Sequence, residues 1–545
     1  MSTSDRSSAP LAARLNYEPR ELRFGTSGRR GEVKHLTQLE VYLNALAELK
    51  YLLTLAPEKG GTRPGDKVYF AYDLRPSSAA FVPDQGGRGE LAQTLERAIL
   101  DAGLEPINLG RLPTPALAYY ALRNGSASIM VTGSHIPFDR NGYKLNTSVG
   151  ELLKEHEQAI VESSSRERER LYSEPLETSA FDEQGFFKAN RPLSGETEDA
   201  GAVYLRRYTD FFAGLTLAGM RLLVYQHSAV GRDLLVALLR SFRAEVIPAG
   251  RSSDFVPIDT ENIDAAQLRV IQDLVDEHGP VDAVVSTDGD SDRPLLLGVE
   301  DGQVKFFAGD LIGMIVAEYL RADAVVVPIS CNNAIDRGPL AGKLQPKTRI
   351  GSPFVIAGME RAKQSGKTAV CGWEANGGFL LGSDIHREGR TLSALPTRDA
   401  FLPLLCTLFS AREKNLRLPE LFRAVATRFS RAGLLKNFPR PVSERIVARF
   451  SPPREEASIC EELSHFFSGR LGFSGIASLN YTDGVRIMFT NGEIAHLRPS
   501  GNADELRIYA VADSESRAEE IVAMALAEPS GILRELEAVV QTSTV

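Results

Sequence analysis

The sequence predicts an α/β protein: three mixed α/β units in series, then a C-terminal α+β unit carrying an antiparallel sheet. Three observations predict it. At 545 residues the chain is too long for one hydrophobic core, so three or four domains are expected. Through most of its length, short apolar runs alternate with longer stretches of helical period, the grammar of βαβ units. From about Ser430 that grammar changes to a helix followed by short alternating strands joined by turns. The expected divisions are a disordered lead over residues 1–20 and four units over 21–200, 201–303, 304–428 and 429–545.

Composition narrows the classes. Hydrophobic content of 43% and charged content of 24% are those of a globular protein. A net charge of −9 argues against nucleic acid or an anionic membrane as the main partner, although a local arginine cluster still suits a small anion. The four cysteines lie far apart with no CxxC pair, which suggests neither a disulfide framework nor a zinc site and fits a reducing cytoplasm. The apolar stretches over 311–320 and 402–409 are too short and mixed to span a membrane. The Ser/Ala-rich residues 1–14 lack the apolar core of a signal peptide.

The first unit opens on Phe24-Gly25-Thr26-Ser27-Gly28-Arg29-Arg30-Gly31. Glycines interleaved with arginines let backbone approach a ligand while guanidinium groups grip an anion. The glycine spacing is not the dinucleotide fingerprint. A helix is predicted over 39–55, a strand over 67–72, a helix cap at Asp73 to Ser78, a helix over 92–102 and a strand over 107–109. After Pro113-Thr114-Pro115 and a short helix, the buried strand 127–131 runs into Thr132-Gly133-Ser134-His135-Ile136-Pro137. An Asn141-Gly142 bend then leads to Lys144. A hydroxyl beside a base can become a nucleophile, so Ser134 is a candidate covalent carrier. His135 and Lys144 are candidate proton shuttles. These are also ordinary loop residues, so the stretch by itself leaves both readings open. A charged helix from Leu152 and a polar stretch over 163–198 close the unit.

The second unit reads as strands over 220–224, 244–248 and 282–285, with helices over 234–242 and 265–278. Its last strand enters Asp288-Gly289-Asp290-Ser291-Asp292-Arg293. Three carboxylates at alternate positions in a loop suit a hard cation; the bland reading is a solvated acidic turn. They are no EF-hand, because the sixth position is Arg293 rather than Gly and the twelfth is Val299 rather than Glu.

The third unit repeats the rhythm, with a helix over 311–322 and strands over 324–329 and 368–371. The last strand runs into Gly372-Trp373-Glu374-Ala375-Asn376-Gly377-Gly378, where Glu374 and Asn376 can hydrogen-bond adjacent hydroxyls of a sugar. Arg349 adds a cation near a bend, and helices over 397–413 and 418–427 end the unit. In the fourth unit a helix over 460–467 precedes strands over 484–489, 493–498 and 507–511. The turn Arg498-Pro499-Ser500-Gly501-Asn502 offers a guanidinium, a hydroxyl, an amide and backbone N–H groups. That set suits phosphate or makes a plain hairpin.

Taken in order, these loops resemble those of the α-D-phosphohexomutase superfamily, and the resemblance covers nearly all of the chain from Arg23. The segment from Phe24 to Gly31 is similar to its opening loop, Thr132 to Lys144 to its phosphoserine loop and Asp288 to Arg293 to its metal loop. Gly372 to Gly378 resembles its sugar loop, and Arg498 to Gly501 its phosphate loop. The resemblance implies four domains around a central active-site cleft. It also implies an isomerase that interconverts hexose 1-phosphate and hexose 6-phosphate, of mannose and/or glucose, through a phosphoserine and a sugar 1,6-bisphosphate. Mg²⁺ would be held by Ser134, Asp288, Asp290 and Asp292. Lys144 or His135, with Arg30 nearby, would move protons. Arg293, Arg349, Glu374, Asn376, Arg498, Ser500, Gly501 and Asn502 would bind the sugar phosphate. The implied partner is a small-molecule sugar phosphate, with neither nucleic acid nor membrane, in a cytoplasmic monomer or dimer.

Several residues depart from the family pattern: Ile136 before Pro137, Asn376 for Ser, Gly378 for the His of mannose-type enzymes, Arg349 for Lys, and Asn502-Ala503-Asp504 after Gly501. The Gly133 form of the serine loop leans toward phosphomannomutase or phosphoglucomutase. Glucosamine phosphate as substrate, and a non-catalytic sugar-phosphate-binding protein, are the alternatives.

Overall fold

Strand Ala127–Val131 is buried at every position; it lies parallel to Lys67–Tyr72 on one side and antiparallel to Arg140–Thr147 on the other. The chain therefore doubles back as soon as the strand ends. The same device recurs twice. Ala283–Thr287 lies parallel to Arg221–His227 and returns as Pro294–Glu300. Val370–Trp373 lies parallel to Ala324–Val326 and returns as Phe379–Leu381. Residues 132–139, 288–293 and 374–378 are the three turns, each leaving the carboxyl end of a parallel strand. That is the edge at which α/β proteins place ligands.

The computed structural model describes residues 9–189, 191–197, 199–425, 427–500 and 504–542. The first sheet is completed by Glu105–Arg111 beyond Lys67–Tyr72 and by Arg29–Glu32 and Gly150–Glu151 on Arg140–Thr147. The second adds Glu245–Arg251 and Gln303–Phe306 at its edges, and the third adds Leu395–Asp399. In the fourth sheet Phe429–Lys436, Glu505–Ala512, Ile494–Pro499, Val485–Phe489 and Ile476–Asn480 follow one another, antiparallel throughout. This is the mixed α/β architecture with an antiparallel C-terminal sheet that the sequence predicts.

One apolar cluster runs unbroken through the first three units, joining Met130, Val285, Ile312, Trp373 and Phe401, whereas the fourth unit has its own around Phe438, Ile487 and Leu536. The first three units thus form one frame, and polar contacts join the fourth to it. Arg428, fully buried at the junction, donates Nε to Asn333 Oδ1 at 3.1 Å and pairs with Asp513; Asn332 Nδ2 donates to its carbonyl at 2.9 Å. Helices start where the sequence offers caps: Thr37 accepts from the Glu40 N–H ahead of Gln38–Thr54, and Asp264 from the Gln267 N–H ahead of Ala265–His278.

Three expectations are corrected. Order begins before Glu21, because Leu11 is fully buried in the first unit's core and its N–H donates to the Glu174 carbonyl. Asn141-Gly142 is no bend. It lies within strand Arg140–Thr147, where the Asn141 Oδ1 accepts the Gly142 N–H at 2.8 Å and its Nδ2 donates to Ser77 and Ser78. The helix expected from 397 begins at Phe401, because Leu395–Asp399 is a strand and Asp399 accepts the Phe401 N–H at 2.9 Å.

Candidate active site

Ser134 stands at the top of its turn with φ +56°, a conformation that costs a serine energy and persists only where surroundings impose it. Its N–H donates to Thr132 Oγ1 at 2.7 Å, and Thr132 in turn donates to Asp73 at 2.8 Å. Its carbonyl accepts from Arg75 at 2.8 Å. The same buried guanidinium donates to the carbonyls of Ile136, Pro137 and Arg140 and lies 3.8 Å above the Phe255 ring. Gly133 makes this possible, since a Cβ there would sit 2.6 Å from Arg75 Nε. Thus fixed, Ser134 Oγ donates to Asp288 Oδ2 at 2.7 Å.

Asp288, Asp290 and Asp292 are fully buried, with oxygens within 4.8 Å of one another. Cations surround them. Lys144 Nζ donates to Asp290 and to Asp292, each at 3.0 Å. Arg398 Nε donates to Asp292 at 2.9 Å and its Nη1 to Glu374 at 3.0 Å, which brings the third unit's loop to the metal loop. Thr114 donates to Asp290 at 2.7 Å. Arg293 Nε lies 3.6 Å from Asp292, and its Nη1 donates to His135 Nδ1 at 2.9 Å. A guanidinium cannot accept, so Nδ1 is the accepting nitrogen and the ring proton sits on Nε2.

Electrostatics divide the three carboxylates. Burial and the neighbouring Asp290 and Asp292 push Asp288 well above the carboxylate range. Burial opposes ionisation of Asp290 too, but Lys144 and the Thr114 hydrogen bond overcome it and hold that group below its usual value. Burial, then Arg293 and Arg30, keep His135 neutral by lowering it well below the usual histidine range. Burial and Arg293 bring Arg30 down to about 10. Arg30 pairs across the sheet with Gly142, on the face that also carries Lys144.

The donor set fits a hard divalent cation. Asp290 Oδ1 and Asp292 Oδ1 are buried and make no hydrogen bond, which is costly for a carboxylate oxygen unless a cation serves it. The Ser134 hydroxyl lies against the same cluster.

The predicted residues fall into two groups. Ser134, His135, Lys144, Arg30, Asp288, Asp290, Asp292 and Arg293 share one centre, which Glu374 joins through Arg398. The Asn376 Oδ1 is occupied by the Gly378 N–H at 2.9 Å, so that side chain shapes its own loop. Arg349, exposed and 5.1 Å above the Phe354 ring, and Arg498 form a second pole. There Asp483 accepts the Ile350 N–H at 2.9 Å and faces Arg498 Nε at 3.2 Å. Ser500 is buried nearby; Gly501 and Asn502 lie outside the described residues.

The sequence missed Arg75, Thr114, Arg398, Glu261 and Arg507. Arg75 lay in the stretch read as a helix cap, and a buried strand ending in Asp-x-Arg was its signal. Arg398 was hidden by a misplaced helix start. Glu261, pushed up to about 7 chiefly by burial, faces Arg507 of the fourth unit at 3.8 Å.

A serine hydroxyl bonded to one of three clustered carboxylates, at turns repeated across three α/β units, suits phosphoryl transfer assisted by a divalent cation. Residues 21–171 match phosphoglucomutase/phosphomannomutase alpha/beta/alpha domain I, 203–301 match domain II and 452–528 match the C-terminal domain. The chain belongs to this family, within the α-D-phosphohexomutase superfamily, and is an isomerase of carbohydrate metabolism. It is 37% identical over 505 residues to a phosphomannomutase of Sinorhizobium fredii, covering 93% of this chain and 98% of the relative. It is 36% identical over 504 residues to a phosphomannomutase of Salmonella muenchen, covering 92% and 94%. Its fold is similar to that of a phosphoglucomutase/phosphomannomutase family protein from Burkholderia thailandensis, with a TM-score of 0.62 at 17% identity over 95% of this chain and 97% of that one. It also resembles Aspergillus fumigatus N-acetylphosphoglucosamine mutase, solved with glucose 1,6-bisphosphate (TM-score 0.54, 16% identity) and with GlcNAc-6P and magnesium (TM-score 0.53, 14% identity). Each covers 100% of both chains.

Proposed function

We propose that this phosphohexomutase interconverts hexose 1-phosphate and hexose 6-phosphate, with mannose or glucose as the sugar, through a phosphorylated Ser134 and a sugar 1,6-bisphosphate. The observation that carries the reading is the 2.7 Å bond from Ser134 Oγ to Asp288. The two phosphomannomutase relatives support mannose, and the bisphosphate complex of the Aspergillus mutase supports the intermediate.

Asp288, Asp290, Asp292 and a phosphate oxygen on Ser134 would hold Mg²⁺. Bound there, the cation neutralises the transferring phosphoryl group. The phosphorus–oxygen bond at Ser134 breaks as one forms to the sugar hydroxyl, whose proton leaves while the serine oxygen gains one. Lys144 suits that exchange, because two of its three N–H groups are spent on Asp290 and Asp292 and the third is left for an oxygen. His135, kept neutral and bonded to Arg293, orients that guanidinium instead. Glu374, Asn376, Arg293 and Arg349 would meet the sugar, and Arg498 and Ser500, with Gly501 and Asn502, its non-reacting phosphate. The later divisions stay at 201–303, 304–428 and 429–545 in this reading, after a first unit that ends at 200 and takes in Leu11, in a cytoplasmic monomer or dimer. No helix among the described residues is long and apolar enough to cross a membrane.

The test is a substrate panel of mannose, glucose and glucosamine phosphates, primed with a trace of sugar bisphosphate, alongside mass mapping of phosphate on Ser134. Mannose or glucose phosphate should give the higher kcat/KM. A preference for glucosamine phosphate, or turnover with phosphate at no serine, overturns the reading.

A further inference from the structure

Asp483 lies where the third and fourth units face each other, and its place is built. Gly484 beside it has φ +79°, and a Cβ there would meet the Leu497 carbonyl at 2.2 Å, so glycine alone lets Val485–Phe489 begin this close to Ile494–Pro499. Buried His496 donates Nε2 to the Asp483 carbonyl at 2.5 Å and pins its backbone. The two oxygens of the side chain then face different units: Oδ2 accepts the Ile350 N–H from the third unit at 2.9 Å, and Oδ1 forms an ion pair with Arg498 Nε at 3.2 Å that is not a hydrogen bond. The Asp483 and Arg498 side chains are each 12% exposed. The turn that receives the tether also reaches the first unit, for a Cβ on Gly351 would lie 2.7 Å from Thr26 Cγ2. One carboxylate thus links the arginine of the phosphate hairpin to the rim that carries Arg349 and the opening loop.

We propose that Asp483 is a positioning residue for phosphate binding. Its carboxylate acts as a resident anion that holds Arg498 before substrate arrives, yields the guanidinium to an incoming phosphate dianion, and reclaims it when the phosphate leaves. Its bond to Ile350 keeps the hairpin registered against the third unit throughout. A dianion offers more charge and a bidentate set of oxygens, so it wins the guanidinium; the displaced carboxylate remains as a competitor that weakens retention. An enzyme that releases a sugar phosphate on every cycle gains from that competition. The inference rests on the reading of Arg498 as a phosphate ligand.

The experiment compares Asp483→Asn with wild type in steady-state kinetics on mannose 1-phosphate and glucose 1-phosphate. Asparagine keeps an acceptor for the Ile350 N–H and removes the charge beside Arg498. KM should fall about two- to fivefold, the size of a partly exposed ion pair, with kcat falling in parallel as release slows. Asp483→Glu should return both constants toward wild type, an outcome a merely structural role does not produce. Should the Asn variant melt early, Asp483→Ser, which also keeps an acceptor, gives the same reading. Unchanged or raised KM in the uncharged variants overturns the proposal. Arg498→Ala separates the two levels. If it leaves KM unchanged, the phosphate reading of Arg498 fails; if it raises KM while Asp483→Asn does not lower it, only the resident-anion role fails.

Discussion

The guanidinium of Arg75 donates to the carbonyl of Ser134 at 2.8 Å, and the same side chain gathers the carbonyls of Ile136, Pro137 and Arg140. A residue 59 positions upstream therefore holds the Ser134 turn in its left-handed conformation. Asp73 completes the arrangement by pairing with Arg75 and accepting from Thr132.

Arg75→Ala should destabilise the protein by about 3–5 kcal/mol, since it leaves the buried Asp73 carboxylate without its counter-cation and removes a donor from four carbonyls. Urea denaturation measures the loss. Activity should fall through kcat more than through KM, because the turn carries the reacting oxygen rather than the distal phosphate contacts. A variant as stable and active as wild type would show that the turn holds its shape unaided.

Ser134→Ala should lower turnover of hexose 1-phosphate by at least about a thousandfold. The melting temperature should change by only a few degrees, since the alanine removes one hydrogen bond and leaves the Arg75 clamp in place. Residual activity near the wild-type level would move the covalent role elsewhere.

Mg²⁺ should raise the melting temperature of the wild-type protein. A ligand that binds the folded state at a hundredfold excess over its Kd stabilises by about 2.7 kcal/mol. Asp290→Asn should blunt the shift, because it removes one of the orphaned carboxylate oxygens. The readout is calorimetric and independent of turnover; equal shifts in both proteins would exclude Asp290 as a ligand.

The contributions of His227 and His496 to stability should fall on acidification from about pH 6.5 toward 4, while Glu261, raised to about 7, works in the opposite direction. Burial brings His227 and His496 down to about 4, and each donates Nε2 to a backbone carbonyl. In that window the unfolded chain takes up protons that the native protein refuses, so unfolding becomes easier as pH drops. Between those values each histidine contributes a slope of about 1.4 kcal/mol per pH unit, so its stabilisation is fully present above pH 6.5 and lost by pH 4. Chemical denaturation at pH 7, 6 and 5 measures it. His496→Gln, which keeps a donor for the Asp483 carbonyl, should flatten the dependence; an unchanged slope in that variant would assign it to other groups.

The sequence by itself determined the order of elements and the loops in which the candidate reacting groups stand. The apolar runs expected over 67–72, 127–131 and 282–285 became strands, the last shifted to Ala283–Thr287, and the polar residues just past two of them, Ser134 and Asp288 to Asp292, form the candidate site. Both are local properties: burial imposes an apolar run, and a strand's end must turn where side chains are freed. Tertiary structure alone decided which partners meet those groups and the second pole. Arg75, Thr114, Arg398 and Asp483 stand singly among ordinary neighbours, and each acquires its partner through sheet pairing or the meeting of units far apart in the chain. It also turned the Asn141-Gly142 bend into a strand, because pairing on both edges outweighs local turn preference. A charge's partner depends on which sheet edges face each other, and no local pattern of residues encodes that.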